Sequence, residues 1–152
     1  MQYRSHFLSV AVLIAGISAC YANMPVTQER IIVFASFSMP AASLKGWMQE
    51  AQRINAPVVI RGLVNNSFKT TMQKMAELTQ DNHGGVQLDP TLFQHYQIKQ
   101  VPAVVVARGD NFDVIYGDVT LSYALGKVVD QQDDMSSIAG RALKQLRDNH
   151  ET

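Results

Sequence analysis

Covalent or metal chemistry needs particular side chains, and this chain of 152 residues carries one cysteine and four histidines. Cys20 lies inside an apolar N-terminal stretch, so the remainder has no thiol, no disulfide and no cysteine-based metal site. His83 and His95 each lack a partner at metal-ligand spacing and read as surface residues. His6 falls in the N-terminal stretch and His150 in the C-terminal tail. Met72 and Met75 fit core packing better than a copper site. Ser38, in Ser36-Phe37-Ser38-Met39-Pro40, has the position of a nucleophile after a strand, but no histidine is placed to serve as its base. Its plainer reading is a helix cap, shared with Ser36.

A second group of residues suits binding. In Arg61-Gly62-Leu63-Val64-Asn65-Asn66 a guanidinium fork and two amides stand beside adaptable apolar side chains. Met39 adds a further one. A protein or peptide surface would match that mixture. The competing reading is structural: Gly62 permits a turn, Asn66 caps the next helix, and Arg61 pairs with Asp89.

The elements that position these residues follow from hydrophobic period. Ile31 to Ala35 is an unbroken apolar run, as a strand buried on both faces requires. Pro40 opens a helix whose Leu44, Trp47, Met48 and Ala51 form one stripe. Pro57 ends it, and Val58-Val59-Ile60 is a second buried strand. A helix from about Ser67 places Phe68, Met72, Met75, Ala76 and Thr79 on one face, and His83-Gly84-Gly85 stops it. Val86-Gln87-Leu88 is a short strand, and Pro90 begins a brief helix with Leu92, Phe93 and Tyr96. Ala103 to Val106, a Gly109-Asp110-Asn111 turn and Phe112 to Tyr116 make a hairpin. Two amphipathic helices close the chain, one on Leu121, Ala124, Leu125, Val128 and Val129, the other on Ile138, Ala139, Ala142, Leu143 and Leu146. Asp130, Asp133 and Asp134 between them read as a solvated connector and cap. The result is an α/β fold, a mixed sheet with helices on both faces.

Residues 1–22 read as a signal peptide: Arg4 precedes the uncharged stretch Phe7 to Ile17, too short to span a bilayer. Cleavage after Ala22 and lipidation of Cys20 are both open to it. A linker at 23–30, one domain at 31–147 and a tail at 148–152 complete the division. Thirteen basic residues balance thirteen acidic ones, so net charge gives no reason to expect nucleic acid as a partner.

Val101-Pro102 stands directly before a buried strand, where proline cannot feed the ladder and a cis bond is a natural candidate. With this element order the chain resembles the thioredoxin fold, carrying a helical insertion. Ser38 and Ala41 take the places of that family's two redox cysteines. Four segments are more specific: Phe34 to Pro40, Arg61 to Ser67, Gly85 to Phe93 and Val101 to Val105. Together they resemble the TrbC family of pilus assembly proteins in F-type conjugative transfer, a type IV secretion system. The resemblance implies a periplasmic, non-redox, non-enzymatic assembly factor with no cofactor. Its implied partners are other periplasmic components of the transfer machinery, with a membrane involved only if Cys20 is lipidated. Ser38, Met39, Pro40, Arg61, Leu63, Asn65, Asn66 and Pro102 are the expected contact residues. The rival readings are a chaperone or binding module for another secreted protein, and a thiol-independent enzyme using Ser38 or Arg61.

Overall fold

The computed structural model describes residues 28–79 and 85–148. The expected signal peptide with Cys20 and His6, most of the expected linker, His83 and His150 lie outside the described residues. Among the described residues five strands and five α-helices follow one another in the expected order: β1 Glu29–Ala35, α1 Ala41–Arg53, β2 Val58–Ile60, α2 Phe68–Thr79, β3 Val86–Leu88, α3 Pro90–His95, β4 Ala103–Arg108, β5 Asn111–Tyr116, α4 Leu121–Gln131 and α5 Ser136–Asp148. The sheet order is β3-β2-β1-β4-β5. β1, β2 and β3 run parallel, β4 is antiparallel to β1, and β5 is antiparallel to β4. The four adjacent strands β2-β1-β4-β5 have the thioredoxin-like arrangement, and the Val101–Pro102 bond is cis.

Side-chain alternation along the strands divides the core in two. Val33 and Ala35 of β1 with Val104 and Val106 of β4 face α1, α4 and α5. Ile32, Phe34, Val105 and Ala107 face the other way, onto Phe93, Tyr96 and Ile98. Helices therefore cover both faces, but unequally: α3 is one short helix and relies on rings. Phe34 meets Phe93 edge-on at 4.8 Å and Tyr96 at 6.0 Å, and Tyr96 meets Phe112 at 5.0 Å. Such offset geometry is the favoured one for aromatic quadrupoles.

The apolar stripes of α1, α4 and α5 lie where periodicity puts them, with Val129 and Leu143 only half-buried at their margins. β1 opens at Glu29 rather than Ile31, because Glu29 and Arg30 already pair with Arg108 and Ala107 of β4. The Glu29 carboxylate also bridges Arg108 at 3.0 Å and pairs with Arg141 of α5. Burial works against that charge, yet the two guanidinium groups hold Glu29 below the usual carboxylate range. The hairpin turns on Gly109, whose φ of 61° suits a first-position glycine in a two-residue loop.

The α2 face differs from expectation. Phe68 is 64% exposed, and the buried positions are Thr71 and Leu78. The hydroxyl of Thr71 donates to the Ser67 carbonyl at 2.7 Å and accepts from the Val64 amide at 2.8 Å. Those bonds remove the cost of burying the hydroxyl, so a polar residue takes the inward place a hydrophobic pattern gives to Phe68.

Asp133 caps α5, accepting from the amides of Met135 at 2.9 Å and Ser136 at 3.2 Å. Across a cleft lined by Asp110, Asp113, Asp133 and Asp134 and by no cation, Asp113 of β5 buries an Oδ2 that no donor reaches. Burial and the neighbouring Asp133 carboxylate push Asp113 upward. A raised folded-state value means its contribution is fully present below the ordinary 3.8 and is lost as pH rises through the raised value. Asp113→Asn should therefore raise the melting midpoint by a few degrees at neutral pH and leave it unchanged in strong acid. A variant that melts lower at neutral pH would show that the ionised carboxylate is stabilising instead.

Candidate functional site

Parallel strands β1 and β2 both end at one pole of the sheet, and the loops they feed carry the predicted contact residues. In the β1–α1 loop the hydroxyl of Ser36 accepts from the Ser38 amide at 3.2 Å, and the two hydroxyls lie 2.9 Å apart. The Ser36 carbonyl takes the Met39 amide at 3.1 Å. Serine here closes a local turn. Neither serine caps α1: Pro40 itself occupies the N-cap with φ −54° and ψ 135°, and no side chain bonds the helix start. Pro40 thus stands one residue ahead of the helix instead of opening it, because its extended ψ leaves the first helical turn to Ala41. Ser38 is exposed, and among the described residues no imidazole joins its hydrogen bonds. His95 sits instead on α3, edge-on to Tyr96 at 4.5 Å.

Arg61 leaves the end of β2 and crosses to the loop before β4. Its Nη2 donates to the Ile98 carbonyl at 3.0 Å, and its guanidinium lies over the Phe93 ring, 5.1 Å from the centroid. Asp89 is not its partner. That carboxylate caps α3, accepting from Thr91 N at 2.9 Å, Thr91 Oγ1 at 2.5 Å and Leu92 N at 3.2 Å. The Thr91 hydroxyl, with the two amides, holds Asp89 below its ordinary value. All three donors reach one oxygen, Oδ1, and fix the carboxylate at the start of α3; no ion pair joins it to Arg61.

After Arg61 the chain makes a 3₁₀ turn at Val64–Asn66, where Asn65 and Asn66 take the left-handed backbone with φ of 50° and 54°. Asparagine tolerates that region better than most residues, which accounts for the pair. Asn66 does not cap α2; the Ser67 hydroxyl does, accepting from the Thr70 amide at 3.2 Å. Gly62 takes no positive φ, and a Cβ on it would meet nothing within 4 Å, so no turn demands glycine there.

Two open concavities meet at Arg61 and Ser36. One, about 310 Å³, runs along Ser36 to Ser38 and Ile60 to Asn65. The other, about 200 Å³, is lined by Phe93 and the segment Ile98 to Val101. Of the expected contact residues, Ser38, Arg61, Leu63 and Asn65 share the first. Asn66 and Pro40 are exposed nearby but line neither. Pro102 is buried, its carbonyl accepting from the Gly117 amide at 3.1 Å. Met39 is half-buried and packs on the core beneath α1.

Sequence reasoning missed Lys99, Gln100 and Asp118. Asp118 follows β5 and pins the start of α1, accepting from Ser43 Oγ at 2.6 Å and Trp47 Nε1 at 3.3 Å. Nothing in local spacing signals a contact between residues so far apart along the chain. Glu50 likewise reaches across to the Leu121 amide at the start of α4.

Among the described residues no helix is long and apolar enough to cross a membrane, and no cluster of ligating side chains could hold a metal ion. A family model described as the type-F conjugative transfer system pilin assembly protein matches residues 33–128. The chain is 41% identical over 102 residues to the periplasmic protein TrbC of Escherichia coli (strain K12), a match covering 66% of this chain and 48% of that protein. It thus spans about half the length of that curated relative. Two solved structures are similar to the chain at low identity. The MTB DsbF structure in mixed oxidized and reduced forms has a TM-score of 0.45 at 15% identity, covering 80% of this chain and 82% of its own. A secreted Mycobacterium tuberculosis disulfide oxidoreductase homologous to E. coli DsbE has a TM-score of 0.43 at 14% identity, covering 76% and 81%. Both likenesses are too loose to bear on function, and the sheet order stands on its own strand pairings. The family match runs from within β1 to within α4 and takes in the whole edge around Arg61, and by it the chain belongs to the TrbC family of type-F conjugative transfer system pilin assembly proteins.

Proposed function

We propose that this chain is a non-catalytic periplasmic assembly factor of a type-F conjugative pilus, working through protein contacts at the Arg61 edge and without thiol redox chemistry. One observation carries the reading: the loops after β1 and β2 and before β4 converge on Arg61 and enclose open concavities rather than a nucleophile with its base. Ser38 and Ala41 stand where the thioredoxin family has its cysteines, and Cys20 is the chain's single thiol. An insulin-reduction assay in which the Cys20→Ser protein turned over would defeat the non-redox part. The periplasmic location is supported by the similarity to the periplasmic protein TrbC of E. coli.

The test of the edge measures mating frequency and melting midpoint together. Arg61→Ala and Leu63→Asp should each lower transfer by about tenfold or more, the equivalent of one lost contact of 1.4 kcal/mol. Leu63 is exposed and Leu63→Asp should melt close to the parent, while Arg61→Ala gives up the Ile98 bond and the Phe93 contact and should melt a few degrees lower yet remain folded. Met39 is unsuitable for this purpose, since an aspartate there would disturb the core it packs on. Folded variants that transfer at the parental rate would remove this edge as the working surface.

A further inference from the structure

The Arg61 fork meets no carboxylate among the described residues. Its side chain is held by the Ile98 carbonyl and the Phe93 ring, so little rotamer freedom remains to be lost on binding. A guanidinium has five N–H donors in a planar array, and the Ile98 bond uses one of its nitrogens. Among the described residues no carboxylate pairs with Arg61, and the nearby Asp89 is engaged by Thr91 and Leu92. The two concavities have Arg61 and Lys99 as their charged lining residues, with no acidic group in either. Hydroxyls, amides and apolar surface make up the rest.

We propose that this edge docks an extended acidic segment of a partner protein, with one carboxylate seated on Arg61 and its flanking uncharged side chains in the two concavities. The proposal rests on the reading of this edge as the working surface. The shape favours a segment over a free small molecule, because volumes of about 310 and 200 Å³ sit at or below the lower end for enclosed ligand sites and both are open. Arginine is suited to the task, since its fork can take both oxygens of a carboxylate at once. Lys99 adds a second positive charge that steers the same segment without fixing its orientation.

The probes are two capped peptides, acetyl-Gly-Val-Ala-Glu-Val-Gly-amide and its Gln counterpart, titrated into the ¹⁵N-labelled full chain. The Glu peptide should shift the Arg61 side-chain signal and the amides of Ser36, Leu63 and Val101. It should bind about tenfold tighter than the Gln peptide, with the preference shrinking as salt is added. Arg61→Gln should abolish the preference and Arg61→Lys should retain part of it, both variants remaining folded by circular dichroism. Two peptides that behave alike, bound or unbound, would overturn the proposal, as would a Glu preference that survives in Arg61→Gln. Inorganic phosphate that reproduces the shifts and displaces the peptide at equal concentration would also overturn it, in favour of a bare anion site. Mating separates the two levels. Indistinguishable peptides with a transfer defect in Arg61→Ala would remove the acidic segment and keep the edge, whereas parental transfer by folded variants would remove the edge.

Discussion

Replacing Trp47 by Ala should cost about 3–5 kcal/mol of folding stability, the range for truncating a large buried ring. The ring is 4% exposed and belongs to the cluster in which α1, α4 and α5 meet β1 and β4. Few residues serve as many elements. Its Nε1 also donates to Asp118 Oδ1, the oxygen that holds Ser43, so the same side chain ties the start of α1 to the loop after β5. A void there cannot collapse easily, because three helices and a sheet would have to move together. Trp47→Phe separates the contributions: it keeps an aromatic ring, loses the N–H, and gives up about 1 kcal/mol for the bond plus a term for the lost volume. Denaturant melts of both variants decide the matter. A midpoint unchanged in Trp47→Ala would mean that the ring lies outside the core.

Phe93→Ala should be nearly as damaging, at about 3–5 kcal/mol, and for a different reason. Phe93 is 3% exposed and meets Phe34 edge-on at 4.8 Å, on the sheet face that only short α3 and its following loop protect among the described residues. It is also the surface on which the Arg61 guanidinium lies. The two roles can be resolved by a double-mutant cycle with Phe93→Leu and Arg61→Ala, melted singly and together. The leucine keeps most of the apolar volume and removes the aromatic face. The coupling energy should then be about 0.5–1 kcal/mol, the scale of an exposed cation–π contact. Strict additivity would mean that Arg61 is positioned by the Ile98 carbonyl alone.

Most of the fold was legible because its core obeys simple periods. The β-branched run of β1, the stripes of α1, α4 and α5 and the glycine-led hairpin each state their own structure. Where a polar group takes an inward place, the period misleads. Thr71 lies inside on the strength of two hydrogen bonds while Phe68 stays out, and no hydropathy pattern encodes that exchange. The site was half legible. Ser38, Arg61, Leu63 and Asn65 do meet in one concavity, as loops after adjacent parallel strands must. What fixes Arg61 could not be read, because Phe93 looks like any core residue of α3 and the Ile98 contact is made by a backbone oxygen. The local caps failed for a related reason: Ser36, Ser67 and Asn66 all have cap chemistry, and backbone conformation alone decides which of them uses it.

The direction of β1 gives the molecule a front and a back. The strand enters at Glu29, where Arg108 and Arg141 grip its carboxylate, and leaves at Ala35 beneath the Arg61 edge. At about 3.3 Å per residue, the two ends of this 7-residue strand stand about 20 Å apart. Gln28, the first described residue, therefore stands at the pole opposite the Arg61 edge. Moored by that end to a surface, the domain would stand with the proposed docking edge turned away from the mooring, open to a partner arriving from the opposite side.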